Sequence, residues 1–329
     1  MKRYKKETGG KLEIGQSLYT KQFKLTVDRE LCKGCELCKL ICPKEAISLV
    51  AAGDGQGSGS AAPGSVAKAP GSAVALQIDI DEGKCDFHGI CAAICPFSAI
   101  KVTINGVETL PSVEKEAFPL LERDIRVRTE RCPAECKVCE EACPLGIIKV
   151  RKNGGRTTVD VSAEKCAGCR VCWMECPEDA ISVSKFIEGS ITVRPEKCPD
   201  GCRRCVDACP VDAMGIGADG KVFAKEMFCI YCGACVGVCP ESVADRPENA
   251  ADNPESAADR TESADCPAVG ALEVTRISVR HTPVDSGTWH RGLEKITSPE
   301  GLARELAGAG SYSAQRTAEE LAEKRTVGQ

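Results

Sequence analysis

Aromatic side chains are scarce in this 329-residue chain: 2 Trp, 4 Tyr and 7 Phe amount to 4%. The residues that bury most area are few, so a wide aromatic core is excluded. Histidine is scarcer still, at 3 residues. No apolar run approaches the roughly eighteen residues of a membrane helix. The basic start, MKRYKKETGGK, leads into no apolar stretch, so a secretory signal is not expected. There is no nucleophile elbow, Walker loop, H-E-x-x-H or Rossmann start, and no catalytic residue is assigned. The net charge of −5 is unevenly placed. Residues 241–265 hold eight acids and two arginines, −6, which leaves the rest at +1. Without a broad basic field, nucleic acid is not an expected partner.

What is abundant is cysteine, at 24 residues. In a chain with no export signal these read as reduced metal ligands, and a cytoplasmic location is expected. The chain is 43% apolar, with recurrent Ile/Val pairs, so it is expected to fold. With so few aromatics, the cysteines are the candidates for holding small modules together.

All but Cys266 fall into six clusters. They are Cys32, Cys35, Cys38, Cys42; Cys85, His88, Cys91, Cys95; Cys132, Cys136, Cys139, Cys143; Cys166, Cys169, Cys172, Cys176; Cys198, Cys202, Cys205, Cys209; and Cys229, Cys232, Cys235, Cys239. A proline follows the last cysteine of each. The first, fourth and sixth match C-x2-C-x2-C-x3-C-P, the run of bacterial-type ferredoxins; the third and fifth have one extra residue. Three thiolates in a tight loop wrap one cubane. The fourth lies about one helical turn on and points to a neighbouring cubane. Zinc sites space two cysteine pairs more widely, so iron–sulfur binding is the preferred reading.

Clusters three and five begin 66 residues apart, and four and six begin 63 apart. That period favours pairing three with four and five with six, leaving one with two. Under the crossed rule the predicted [4Fe-4S] ligand sets number about six. They are Cys32, Cys35, Cys38, Cys95; Cys42, Cys85, His88, Cys91; Cys132, Cys136, Cys139, Cys176; Cys143, Cys166, Cys169, Cys172; Cys198, Cys202, Cys205, Cys239; and Cys209, Cys229, Cys232, Cys235. Cys266 is the alternative to Cys239, which is preferred because using Cys266 closes a longer loop. His88 has three readings: an iron ligand, the preferred one; an unligated neighbour of a three-iron [3Fe-4S] cluster; or part of a degenerate site. His281 and His290 read as packing or surface histidines.

After each of the first four clusters comes an alternating phrase: Ala46–Val50, Ala99–Val102, Ile147–Val150 and Ala180–Val183. Each predicts a half-buried strand, with others at Lys24–Val27 and Ile191–Val193. The expected class is α+β, with small antiparallel strands and short helices around the clusters. Residues 51–75 are 20 of 25 Ala, Gly, Ser or Pro and read as a flexible insertion. Residues 241–265, built on ADRPENA-like heptads, read as an acidic low-complexity insertion. Gly215-x-Gly217-x-x-Gly220 formally fits a dinucleotide fingerprint but spans only a tight turn. The expected domains are a basic tail at 1–21, modules at 22–110, 124–184 and 190–278, and a partly helical docking tail at 279–329. Helix starts are expected at Ser298-Pro299 and near Ala314–Lys324.

The chain resembles the polyferredoxins, and more closely those of formylmethanofuran dehydrogenases in methanogenic archaea. The resemblance is carried by Cys85-Asp86-Phe87-His88-Gly89-Ile90-Cys91 with Cys95-Pro96-Phe97, by Phe118-Pro119 to Arg123-Asp124-Ile125, by the alternating cysteine clusters, and by Arg280–Val284 with Trp289. It implies tandem dicluster ferredoxin modules that relay low-potential electrons to a molybdenum or tungsten centre reducing CO2. The implied partners are other subunits of that redox complex, with soluble ferredoxin as a further one. A hydrogenase, heterodisulfide reductase or CO dehydrogenase complex is the alternative within electron transfer. An iron–sulfur storage or structural metal-binding protein is the alternative from another class.

Overall fold

Short alternating phrases become short strands here, and the cysteine loops between them become single helical turns. The computed structural model describes residues 2–51, 76–133, 135–153, 156–243 and 270–297. The first stretch contains β1 (Lys2–Thr8), β2 (Lys11–Ser17), β3 (Gln22–Asp28), α1 (Leu37–Ile41), β4 (Ile47–Ala51), β5 (Leu76–Ile80), α2 (Ile90–Ala93), β6 (Ile100–Ile104), β7 (Val107–Glu108) and α3 (Pro111–Glu114). The next holds β8 (Ile125–Val127), α4 (Val138–Glu141), β9 (Ile148–Asn153), β10 (Arg156–Val161), α5 (Val171–Met174) and β11 (Ile181–Val183). Then come β12 (Ile187–Val193), α6 (Arg204–Asp207), β13 (Met214–Ile216), β14 (Val222–Ala224), α7 (Ala234–Val238), α8 (Pro240–Val243), β15 (Leu272–Val279) and α9 (Gly287–Ile296).

The strand pairing repeats three times, always antiparallel. β3 pairs with β6 and β4 with β5. β8 pairs with β11 and β9 with β10. β12 pairs with β15 and β13 with β14. Each repeat thus has an outer pair made by its first and last strands and an inner hairpin-like pair. The helices face one another between the two pairs: α1 with α2, α4 with α5, α6 with α7. The chain is an α+β tandem, as its alternating phrases imply. Gly215 lies in β13 paired with Phe223, and Gly217 to Gly220 turn the chain into β14, with Gly220 at φ +76°.

Residues 1–21 depart from the expected solvated tail. β1 and β2 form a hairpin that continues onto β3, giving a sheet in the order β1-β2-β3-β6-β7. Leu12 and Ile14 alternate inward from β2 and are fully buried. The lysines lie mainly on β1, where an edge strand keeps charge towards water. At the other end, α9 was not foreseen. Its apolar face is Trp289, Leu293 and Ile296, all buried, and it packs on α1. Ser286 caps it, accepting a hydrogen bond from Trp289 N. The predicted starts at Ser298 and Ala314, most of the 51–75 insertion, most of the 241–265 insertion, and Cys266 lie outside the described residues.

Candidate iron–sulfur centres

The cysteine loops are positioned by a hydrogen bond that recurs six times. The N–H four residues before the first cysteine of one motif donates to a carbonyl just beyond the last cysteine of another. Asp28 donates to Ala99 and Asp81 to Ala46. Arg128 donates to Ala180 and Ser162 to Ile147. Lys225 donates to Ala213, and Arg194 to Ala271. In five cases the acceptor is four residues after the fourth cysteine. Ala271 is the exception, because it follows the acidic insertion.

The turn after the fourth cysteine also repeats. Glu45, Ser98, Gly146, Asp179 and Asp212 occupy the left-handed region three residues past it. That turn aims the next N–H back at sulfur: Ala46, Ala99, Ala180 and Ala213 donate to Cys42, Cys95, Cys176 and Cys209 Sγ at 3.2–3.4 Å. N–H donors of this kind stabilise negative charge on sulfur. After Cys239 the turn is replaced by α8. There Ser242 Oγ donates to Leu272 O and accepts from Leu272 N, docking β15 beside the sixth loop.

Burial raises most of the thiol pKa values, and neighbouring thiols add to the rise. Cys169 is pushed up to about 11, and Cys172, Cys205 and Cys232 up to about 12. The thiols that act on each other come mainly from one predicted set, with contributions from the adjoining one. Cys38 feels Cys35, Cys95, Cys91 and Cys32. Cys91 feels Cys85, Cys42 and Cys95. Cys139 feels Cys132, Cys136 and Cys176, and Cys172 feels Cys169, Cys166, Cys143 and Cys139. Cys205 feels Cys239, Cys198 and Cys202, and Cys235 feels Cys232, Cys229, Cys209 and Cys205. Across modules, Cys35 feels Cys232. No disulfide joins the described cysteines.

Three of these groups line cavities. Cys132, Cys136, Cys139 and Cys176 line one, walled by Val127, Val150 and Ile181. Cys143, Cys166, Cys169 and Cys172 line the second. Cys42, Cys85, Cys91 and His88 line the third. Among the described residues no three His, Cys, Asp or Glu groups converge as a single ion would need. Crowded soft donors around an apolar-walled space suit a multi-iron cubane rather than one zinc.

His88 sits with its Nδ1 accepting the Ile90 N–H at 3.1 Å and its Nε2 3.5 Å from Asp86 Oδ1. Burial lowers its pKa, which favours the neutral, ligating form. His281 packs edge-on to Trp289, with ring centroids 4.7 Å apart. His290 pairs with Asp285. No described helix is long and apolar enough to cross a membrane.

Comparison with known proteins agrees with this chemistry. Two family models, both described as 4Fe-4S dicluster domains, match the chain: one at residues 31–99, 131–180 and 165–213, the other at 197–244. Together they span more than half of it. The chain is a polyferredoxin of dicluster domains. Its role is electron transfer, and the chemistry its [4Fe-4S] clusters supply is one-electron uptake and release. No curated protein matches the sequence. Among solved structures, one chain of the formate dehydrogenase–heterodisulfide reductase–formylmethanofuran dehydrogenase complex from Methanospirillum hungatei is similar. It superposes with a TM-score of 0.69 at 27% identity, over 90% of this chain and 92% of that one.

Three cations of the polyferredoxin, Arg123, Lys185 and Arg276, also meet the cysteine loops, and no spacing in the sequence marks them for it. In the fold each lies against a cysteine loop. Arg123 donates to the carbonyls of Cys95 and Cys166, and Arg276 to those of Tyr231 and Cys232. Lys185 donates to Glu226 O and lies 4.7 Å from the centre of the Tyr231 ring.

Proposed function

We propose that this polyferredoxin is the electron-relay subunit of a formylmethanofuran dehydrogenase type of complex, feeding low-potential electrons to the enzyme that reduces CO2. The observation that carries the reading is likeness over nine-tenths of the chain to a component of an assembly containing that enzyme. The same likeness leaves a second reading, service to the heterodisulfide reductase of such an assembly. The relay works in the cytoplasm, a reading supported by the absence of disulfides among the described cysteines.

The proposed wiring is three modules, at 22–110, 124–184 and 190–278, each holding two clusters. The ligand sets are the six named from the sequence, with Cys239 rather than Cys266 in the fifth. The six recurring hydrogen bonds support this pairing, since they join motif one to two, three to four and five to six. Cys239 is supported by its burial and its closeness to Cys205. His88 is the fourth donor of the second set. Asp86 takes the Nε2 side of the ring, as carboxylates do for ligating histidines, and the Nδ1 lone pair would exchange the Ile90 N–H for iron when the cluster is bound. The protein holds the cofactors at fixed separation, keeps them from water, and sets their potentials through N–H···S bonds.

The test is anaerobic purification with iron, sulfide and EPR analysis, followed by affinity capture. The expected result is about 24 iron atoms per chain, with formylmethanofuran dehydrogenase catalytic subunits co-purifying. Capture of hydrogenase subunits alone would remove the proposed partner. Colourless protein without sulfide would remove the clusters.

A further inference from the structure

The junction between the first two modules holds a charge that the relay reading does not use. Arg123 lies in the short connection before β8. Its Nε donates to Cys166 O at 3.1 Å. Its Nη2 donates to Cys95 O at 3.2 Å and Pro96 O at 3.4 Å. The guanidinium lies 5.4 Å from the centroid of buried Phe186, a cation–π contact that shields it from water. Ser98 Oγ also bridges this junction, donating to Glu164 O. One planar cation therefore ties the loop of Cys95 to the loop of Cys166. All three of its hydrogen bonds go to carbonyls; the Glu164 carboxylate acts on it electrostatically without a salt bridge. Arginine suits the task, because it stays charged and its donors form a rigid fork.

The junction between the first and third modules is built differently. Arg276, 6% exposed, also clamps cysteine-loop carbonyls, at Tyr231 and Cys232. Here the charge is met by Glu36, whose Oε1 lies 3.2 Å away in the first cysteine loop. The pair is neutral overall. The two junctions thus share a clamp and differ in how closely its charge is paired, a direct salt bridge at Arg276 and none at Arg123.

We propose that Arg123 is a positioning and potential-setting residue: it fixes the separation of the Cys32/Cys35/Cys38/Cys95 and Cys143/Cys166/Cys169/Cys172 clusters, and its buried charge makes both easier to reduce than they would be without it. The inference rests on the ligand sets proposed above. A positive charge in a water-poor site acts strongly on an added electron nearby and weakly on one farther off.

The test uses full-length, anaerobically loaded protein and its Arg123→Gln and Arg123→Lys variants. Iron and sulfide are measured first, then potentials by EPR-monitored titration with dithionite. Wild-type protein without sulfide would remove the cluster reading itself, and this proposal with it. With clusters present, R123Q is expected to shift two of them to more negative potential and to leave the others in place. The spin–spin broadening between those two is expected to weaken. A titration in which no cluster moves, or all move alike, overturns the proposal. R123K keeps the charge but cannot reach both loops, so its potentials should hold while the broadening weakens. Undiminished broadening in R123K overturns the positioning role, even if R123Q assembles poorly.

Discussion

Truncating Trp289 should loosen one part of the relay and spare the rest. The indole is 1% exposed. It meets Phe118 edge-on at 5.1 Å and His281 at 4.7 Å. A buried Trp removes about 200 Å² from water, worth about 5 kcal/mol at ~25 cal/mol per Å². Measured Trp→Ala costs of about 3–5 kcal/mol agree. α9 cannot absorb that loss, because a ten-residue helix is marginal on its own. Its grip on α1 is close: a Cβ on Gly292 would fall 2.5 Å from Ile41 Cδ1. α1 carries Cys38, and Cys42 ends it, so undocking α9 exposes the thiolates of the first module. The assay is anaerobic iron release to a chelator in excess, followed by absorbance. For Trp289→Ala, about a third of the iron, two clusters of the proposed six, should leave at least about tenfold faster, since 1.4 kcal/mol of the loss already gives that factor. The remaining iron should leave at the wild-type rate. Unchanged release, or acceleration spread evenly over all the iron, would refute the reasoning.

Three shorter predictions concern the ligands. His88→Cys should keep a full cubane and move one potential downward, because imidazole makes a cluster less negative than thiolate does. His88→Ala should leave about one iron fewer and a three-iron EPR signal in the oxidised protein; an unaltered iron count and spectrum would show that His88 is no ligand. Cys239→Ser should lose or alter one cluster while Cys266→Ser leaves all intact, and the reverse result in the iron assay would move the ligand to Cys266. For the apo-protein, the first module is expected to stay folded, and there burial lifts Cys38, Cys91 and Cys95 above the ordinary thiol value. A group raised on folding stabilises the fold below its unfolded pKa and loses that contribution as pH climbs through the folded value. Apo structure, followed by circular dichroism, should therefore fade as pH rises above about 9. Loading with iron near pH 8 should release close to one proton per cysteine ligand, since iron takes the thiolate; release far below that would mean the apo thiols are already ionised.

The elements legible in the sequence were those whose pattern is local. Ile100-Lys101-Val102 alternates, and β6 lies there with Ile100 and Val102 buried and Lys101 exposed. The cysteine spacing shows the loops because one cubane needs three thiolates close together, a constraint met within a few residues. The N-terminal hairpin was missed because its lysines outweigh two inward residues, Leu12 and Ile14. The alternation was present but short. α9 was missed although Trp289, Leu293 and Ile296 follow helical spacing and Ser286 precedes them. The Ser-Pro start at 298 was the stronger cap signal and drew the reading past it. The contacts of Arg123, Lys185 and Arg276 with the cysteine loops were not legible, although Arg123 lies in a phrase that carries the family resemblance, because their partners are carbonyls. A carbonyl carries no sequence signature, and these lie 27 or more residues away from their cations.

The uneven distribution of buried side chains leads to a final prediction about iron removal. The core around the first module is mainly aliphatic: Leu12, Ile14, Leu25, Val27, Ile78, Ile80 and Val102 are all buried, and α9 adds Trp289 and Leu293. They outnumber the module's own buried Cys35, Cys38, Cys42, Cys91 and Cys95 in a cluster that continues into the other modules. The core local to the second module consists of Ile148, Ile181 and Val183, completed by Cys166 and Cys172. That of the third rests on Met214, Val222 and Leu272, completed by Cys205, Cys235 and Cys239. Where cysteines complete the core, the cubane and its ligands stand in for missing hydrophobic mass, and metal binding becomes folding free energy. Where aliphatic strands complete it, the sheet has support that does not depend on iron. Anaerobic chelation should therefore erase amide protection in β8, β11, β13 and β14 while β2, β3 and β6 retain a protected sheet. Hydrogen exchange read by mass spectrometry distinguishes the outcomes. Loss of protection throughout the chain in one step would show that clusters hold the first module as much as the others. Full retention everywhere would show that they hold none of it, and that the hydrophobic contacts between modules suffice alone.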